Sequence, residues 1–129
     1  MRKKNKFNAK QVSVLGKKFD SRRESARYLT LLELQNAGII CELELRKPFV
    51  LIPSQYEMTD EVYKRGPHRG KRKPSKCIEK PVVYYADFCY KKDGATIVED
   101  VKGKKTADYV IKRKMMLYVF GIKIQEIRR

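Results

Sequence analysis

Two aspartates and a lysine carry the chemistry this sequence could do. Asp87 stands in "YYADFCY", and Asp100 and Lys102 stand in "IVEDVKG", with Asp93-Gly94 between the two runs. Asp-Gly flanked by apolar runs is a strong short-range signal for a β-hairpin. With a two-residue turn Lys92 pairs with Ala95, so Asp87 falls opposite Asp100 and Tyr85 opposite Lys102. Side chains alternate across a strand, which puts Asp87, Asp100 and Lys102 on one face and turns Glu99 to the other. Like charges directly opposite are destabilising in a sheet. They make sense if they share a divalent cation, and oxygen donors suit Mg²⁺, for which Mn²⁺ can substitute. Lys102 would then hold an attacking water or stabilise charge on a phosphate. The plainer alternative is a diagonal Asp87–Lys102 ion pair on a solvated face with Asp100 exposed, a kind of pair that contributes little.

The elements that must position these residues follow from pattern. Ser21 followed by Glu24 matches a capping box, and Ala26, Leu29 and Leu32 with Tyr28, Leu31 and Leu34 give an apolar stripe that Gly38 stops, so a helix is expected over about 21–37. "IICELELR" and "KPFVLIPS" read as two strands joined around Arg46–Pro48, with Cys41, Leu43 and Leu45 on the dry face of the first. A second helix is expected from about Thr106, its cap, to Phe120, with Tyr109 in its core stripe and Arg113 interrupting that stripe; "IKIQEI" is a last short strand. The order α-β-β-β-β-α-β, with a helix between two sheet strands, implies an α/β fold: one mixed β-sheet flanked by helices.

The chain of 129 residues suits one domain. Residues 1–18 carry seven basic residues and no acid, and read as a flexible basic arm ahead of a single domain over 19–129. A second basic segment, about 57–80, holds "YKRGPHRGKRKPSK" and reads as a flexible loop inserted in the domain. The formal charge of +16 points to a polyanion, most often nucleic acid. Lys64, Arg65, Arg69, Lys71, Arg72 and Lys73 of the loop, with Lys104, Lys105 and Lys112, are the candidate DNA contacts; Lys112 could equally lie on a solvated helix face. One histidine, His68, and three cysteines, Cys41, Cys77 and Cys89, without a C-x-x-C, exclude His-rich zinc sites and a disulfide framework, and fit a reducing, cytoplasmic compartment. Cys41 and Cys89 are expected in the core. There is no signal peptide and no apolar run long enough for a membrane span.

"YYADFCY" and "VEDVKG", after a helix holding "SRRESARY", resemble the PD-(D/E)XK nuclease superfamily, and within it a small phage-type group similar to Holliday-junction resolvases. Ala86 stands where the motif has its proline, and the second acid is an aspartate, Asp100. The resemblance implies a restriction-endonuclease-like core, α-β-β-β-α-β, with one extra strand here. It implies Asp87 and Asp100 as ligands of Mg²⁺, with the Val101 carbonyl as a further one, and Lys102 as the catalytic lysine. It also implies that Glu24 reaches the metal, although the same residue is the capping-box partner of Ser21. The activity implied is metal-dependent, structure-selective endonuclease cleavage of branched or four-way-junction DNA by a homodimer, in a phage-encoded setting. The competing expectation is a non-catalytic, basic nucleic-acid-binding protein.

Overall fold

The computed structural model describes residues 12–73 and 75–128. Residues 1–11 of the expected arm lie outside this range. The rest of that arm differs from expectation: β1 (Val12–Val14) and β2 (Lys17–Phe19) pair antiparallel around Leu15-Gly16, both at positive φ. Phe19 is buried against Tyr28, their rings 5.1 Å apart, so burial of one aromatic ties the hairpin to the domain.

Helix α1 spans Arg22–Asn36, with Ser21 at its N-cap accepting from the Glu24 N–H at 3.2 Å, half of the anticipated capping box. A four-stranded sheet follows in the order β3-β6-β7-β8: β3 (Cys41–Ile52), β6 (Val82–Lys92), β7 (Ala95–Lys102) and β8 (Gln125–Arg128). The first two pairings are antiparallel and β7–β8 is parallel, bridged by helix α2 (Ala107–Phe120). The sheet is thus mixed and flanked by two helices. Thr106 caps α2 through the Tyr109 N–H, and Gly121, in the left-handed region at φ 69°, closes it. The two strands expected between 39 and 54 are one long strand, β3. Pro48 does not break it, because β3 is an edge strand whose outer side needs no ladder donor.

Two cores lie on the two faces. Tyr28 and Leu31 of α1 pack with Phe19, Ile40, Phe88 and Tyr90; Tyr109 and Met116 of α2 pack with Phe49, Leu51, Tyr84, Ala86, Cys89, Val98 and Ile124. Strict alternation would put Phe88 beside Ala86, yet they belong to opposite cores. Along β3 the same reversal occurs: Leu43 and Leu45 pack on the α1 side, Phe49 and Leu51 on the α2 side. The crossover falls at Arg46, which has φ 51°, and at Asp87 across from it, the one step skipped between the pairs Leu45–Phe88 and Lys47–Ala86.

The inserted basic segment differs from an irregular loop. β4 (Gln55–Glu57) pairs antiparallel with β5 (Lys76–Glu79), and a further bridge joins Val62 to Arg72. The result is a hydrogen-bonded finger between β3 and β6. No described helix is long and apolar enough to cross a membrane.

Candidate active site at a strand fork

The hairpin register is the one read from the sequence. Asp93 and Gly94 both have positive φ, as a two-residue turn between right-twisted strands requires, and the ladder runs from Lys92–Ala95 to Phe88–Glu99. It stops there. Beyond that rung β6 stays with β3 while β7 turns to β8, so the two central strands fork one residue before Asp87 meets Asp100. At the crotch the Val101 N–H donates to Asp87 Oδ2 at 2.8 Å, so a side chain replaces the missing ladder acceptor.

Around this crotch the fold gathers the anticipated residues. Asp100 is buried on the α2 side, where its Oδ2 accepts from the Tyr84 hydroxyl at 2.5 Å. Its buried Oδ1 has no hydrogen bond and faces the Lys102 ammonium at 3.1 Å. That ammonium lies 4.3 Å from the centre of the Tyr109 ring, a cation–π contact that holds the lysine over α2. Glu24 is buried at the start of α1 and interacts electrostatically with both Asp87 and Asp100. Burial pushes the Asp87 carboxyl up to about 8, and the charges of Asp100 and Glu24 push the same way; the Val101 N–H and Lys102 oppose them. Burial also raises Glu24, with Asp20 adding to it and Arg46 opposing. The site is therefore short of positive charge. Its donors are hard oxygens of the kind Mg²⁺ takes. As the side chains stand, no three acidic, cysteine or histidine side chains among the described residues converge closely enough to hold a metal, and Lys102 is the cation at Asp100.

Glu99 turns away, as alternation requires. It is fully buried on the α1 side, where Arg27 grips both its oxygens at 2.7 Å and the Tyr90 hydroxyl donates to it. Arg27 is one helical turn beyond Glu24. One ion pair between half-buried Arg27 and fully buried Glu99 therefore fastens α1 to β7 beside the fork.

The remaining sequence evidence for kinship covers nearly the whole chain. A family model described as "Protein of unknown function (DUF1064)" matches residues 4–128. The chain belongs to the DUF1064 family. No curated protein and no solved structure matches it.

In this DUF1064 chain the anticipated site residues part into two groups. Asp87 meets Val101 and Asp100 meets Lys102 at the fork, and Glu24 acts on both aspartates electrostatically. The candidate nucleic-acid contacts lie elsewhere: Lys64, Arg65, Arg69 and Lys71 are exposed on the finger, while Arg72 and Lys73 face Asp60 and Glu61 at 3.8 and 3.6 Å. Lys104 is exposed after β7, Lys105 pairs with Glu126 at 3.3 Å, and Lys112 is half-buried on α2. Two expectations are corrected. Tyr85 is 61% exposed and it is Tyr84 that reaches the site, because the faces of β6 reverse at Asp87. Cys41 is exposed, since it opens an edge strand; Cys89 is buried as anticipated, and the three cysteines are free. Sequence reasoning missed Arg27, Tyr84 and Arg46. Arg27 sits one turn from Glu24 in "SRRESARY", which is a usable signal; nothing in the sequence marks the reversal that brings in Tyr84. Arg113, which seemed only to interrupt a stripe, pairs with Glu126 on β8 at 3.3 Å.

Proposed function

We propose that the chain is a metal-dependent DNA endonuclease with a PD-(D/E)XK-type site, selective for branched DNA such as a four-way junction. The observation that carries the reading is the mutual repulsion of Asp87, Asp100 and Glu24 beside Lys102 at the fork, two of the three acids being buried, an arrangement that costs stability and that a cation would relieve. The order of α1, β3, β6, β7, α2 and β8 also supports it, being the α-β-β-β-α-β order of that superfamily.

In this reading Asp87 and Asp100 hold Mg²⁺, with Mn²⁺ able to substitute; Glu24 reaches it directly or through water and the Val101 carbonyl is a further donor. A bound divalent cation polarises a phosphoryl oxygen and lowers the pKa of water. The chain's own groups prepare the site. Tyr84 fixes one oxygen of Asp100 and leaves the other without a hydrogen bond, and the Val101 N–H fixes one oxygen of Asp87. Lys102, half-buried against Tyr109, supplies the positive charge for the attacking water or the phosphate. Contacts to the backbone rather than to bases suit recognition of DNA shape. Two symmetric incisions across a junction call for a homodimer, and an intracellular, phage-encoded setting belongs to the same reading.

One observation favours a second reading, a nucleic-acid-binding protein that does not cut: Lys102 already supplies a cation to Asp100. Incubation of the protein with four-way-junction, branched and linear duplex DNA, with Mg²⁺, Mn²⁺ or EDTA, separates the two. Metal-dependent cutting of branched DNA, lost in Asp87→Asn and Lys102→Ala, supports the endonuclease. Binding without cutting in either metal supports the second reading.

A further inference from the structure

The finger divides its charge. In its stalk the Val62–Arg72 bridge is extended by the Lys73 N–H donating to the Glu61 carbonyl at 2.8 Å, and Arg72 and Lys73 lie beside Asp60 and Glu61. At its tip the backbone folds on itself: the Gly70 N–H donates to the Tyr63 carbonyl at 2.8 Å, the Tyr63 N–H to the Lys71 carbonyl at 2.9 Å, and the Arg69 N–H to the Gly66 carbonyl at 3.1 Å. Gly66 and Gly70 have φ 84° and 83°, which side chains rarely adopt, so the tip's shape depends on these two glycines. Tyr63 and His68 rings lie 5.7 Å apart within it. Lys64, Arg65, Arg69 and Lys71 are all exposed there, no ion pair engages them among the described residues, and no acid lies between Glu61 and Glu79.

We propose that the finger tip is a preorganised phosphate-binding surface for a nucleic-acid duplex, with Lys64, Arg65, Arg69 and Lys71 contacting the backbone while Arg72 and Lys73 serve the stalk. A folded tip presents its cations without first being ordered, which a flexible basic loop must be. A membrane surface fits less well. Basic elements that lie on lipid carry apolar side chains for insertion, and between Lys64 and Lys71 the tip has only glycine, proline, histidine and the four cations. The finger leaves the sheet between Ile52 and Val82, the end toward which the fork opens. Lys104 and Lys105 leave β7 at that same end. A duplex held by the tip therefore lies on the open side of the fork. Binding by the tip does not require the fork to cut.

Affinity of the full chain for a short DNA duplex, measured against salt concentration in EDTA, tests this apart from any cleavage. Each phosphate neutralised contributes about 0.9 to the slope of log affinity against log salt, so replacing all four tip cations by alanine should lower the slope by about 3 to 4. Arg72→Ala with Lys73→Ala should lower it by less than about 1. Gly66→Ala with Gly70→Ala keeps every charge, and should still weaken binding about tenfold or more if the shape of the tip matters. A wild-type slope in the four-cation variant, with circular dichroism showing the domain folded, overturns the proposal. So does wild-type binding by the glycine variant, which would make the segment a mere charged tether. Loss of binding to phosphatidylserine vesicles, with duplex binding unchanged in the four-cation variant, overturns it in favour of a membrane.

Discussion

Asp87 is the residue on which the account turns. Loss of solvent around this half-buried carboxyl, with the charges of Asp100 and Glu24 nearby, pushes it up to about 8. An acid whose pKa is raised on folding binds its proton more tightly in the folded state, so its contribution to stability is fully present below the ordinary carboxylate range and is lost as pH rises toward about 8. The metal-free protein should therefore melt at lower temperature at pH 8.5 than at pH 6, and millimolar Mn²⁺ should recover more of the melting temperature at the higher pH, where the carboxylates are ionised. Differential scanning calorimetry at the two pH values, with and without the ion, checks both. Asp87→Asn keeps an acceptor for the Val101 N–H and, above about pH 8 where Asp87 ionises, removes one charge. In EDTA at pH 8.5 it should raise stability by on the order of 1–2 kcal/mol, with little gain at pH 6, while abolishing cleavage in the presence of metal. A variant that is more stable and inactive is the signature of a site built at the expense of the fold.

At the scale of elements, the Arg27–Glu99 pair decides whether α1 and β7 keep their places. Glu99 is fully buried, so Arg27→Ala leaves an uncompensated charge and should cost about 3–5 kcal/mol, measured by urea unfolding. Replacing both partners by methionine should restore much of that loss, because the buried charge goes with its partner. The hairpin, both helices and the charges at the fork were legible in the sequence because local rules govern them: Asp93-Gly94 demands a tight turn, Ser21 and Thr106 cap helices, and alternation from a known turn separates Glu99 from Asp100. Three features were not legible, each because it depends on distant partners. β3 reads as two strands only if Pro48 needs a ladder on its outer side, and its position at the edge removes that need. The reversal of faces at Arg46 and Asp87 involves two strands at once, and it exchanges Tyr84 for Tyr85. The finger is built from glycine, proline and lysine, a composition that signals disorder, yet backbone pairing across the insertion orders it.

For the molecule as a whole, the fold sets the basic finger apart from the acidic fork. The sheet and its two cores fix the fork, while the finger projects from the strand ends and contributes no residue to either core. Replacing residues 58–75 by a short glycine turn should leave the melting temperature within about 3 °C of wild type. It should cut duplex affinity at least tenfold at moderate salt, read by fluorescence anisotropy. The exposed cations of the finger tip and the carboxylates of the fork are thus held in separate parts of the fold.

The most direct test of the central claim is cleavage of four-way-junction DNA by the wild-type chain beside Asp87→Asn. The fork as a metal-dependent hydrolytic site predicts incision with Mg²⁺ or Mn²⁺, none in EDTA, and no incision by Asp87→Asn although it binds the junction as tightly. A wild-type chain that binds the junction and cuts it in neither metal contradicts the account, as does an Asp87→Asn variant that cuts at the wild-type rate.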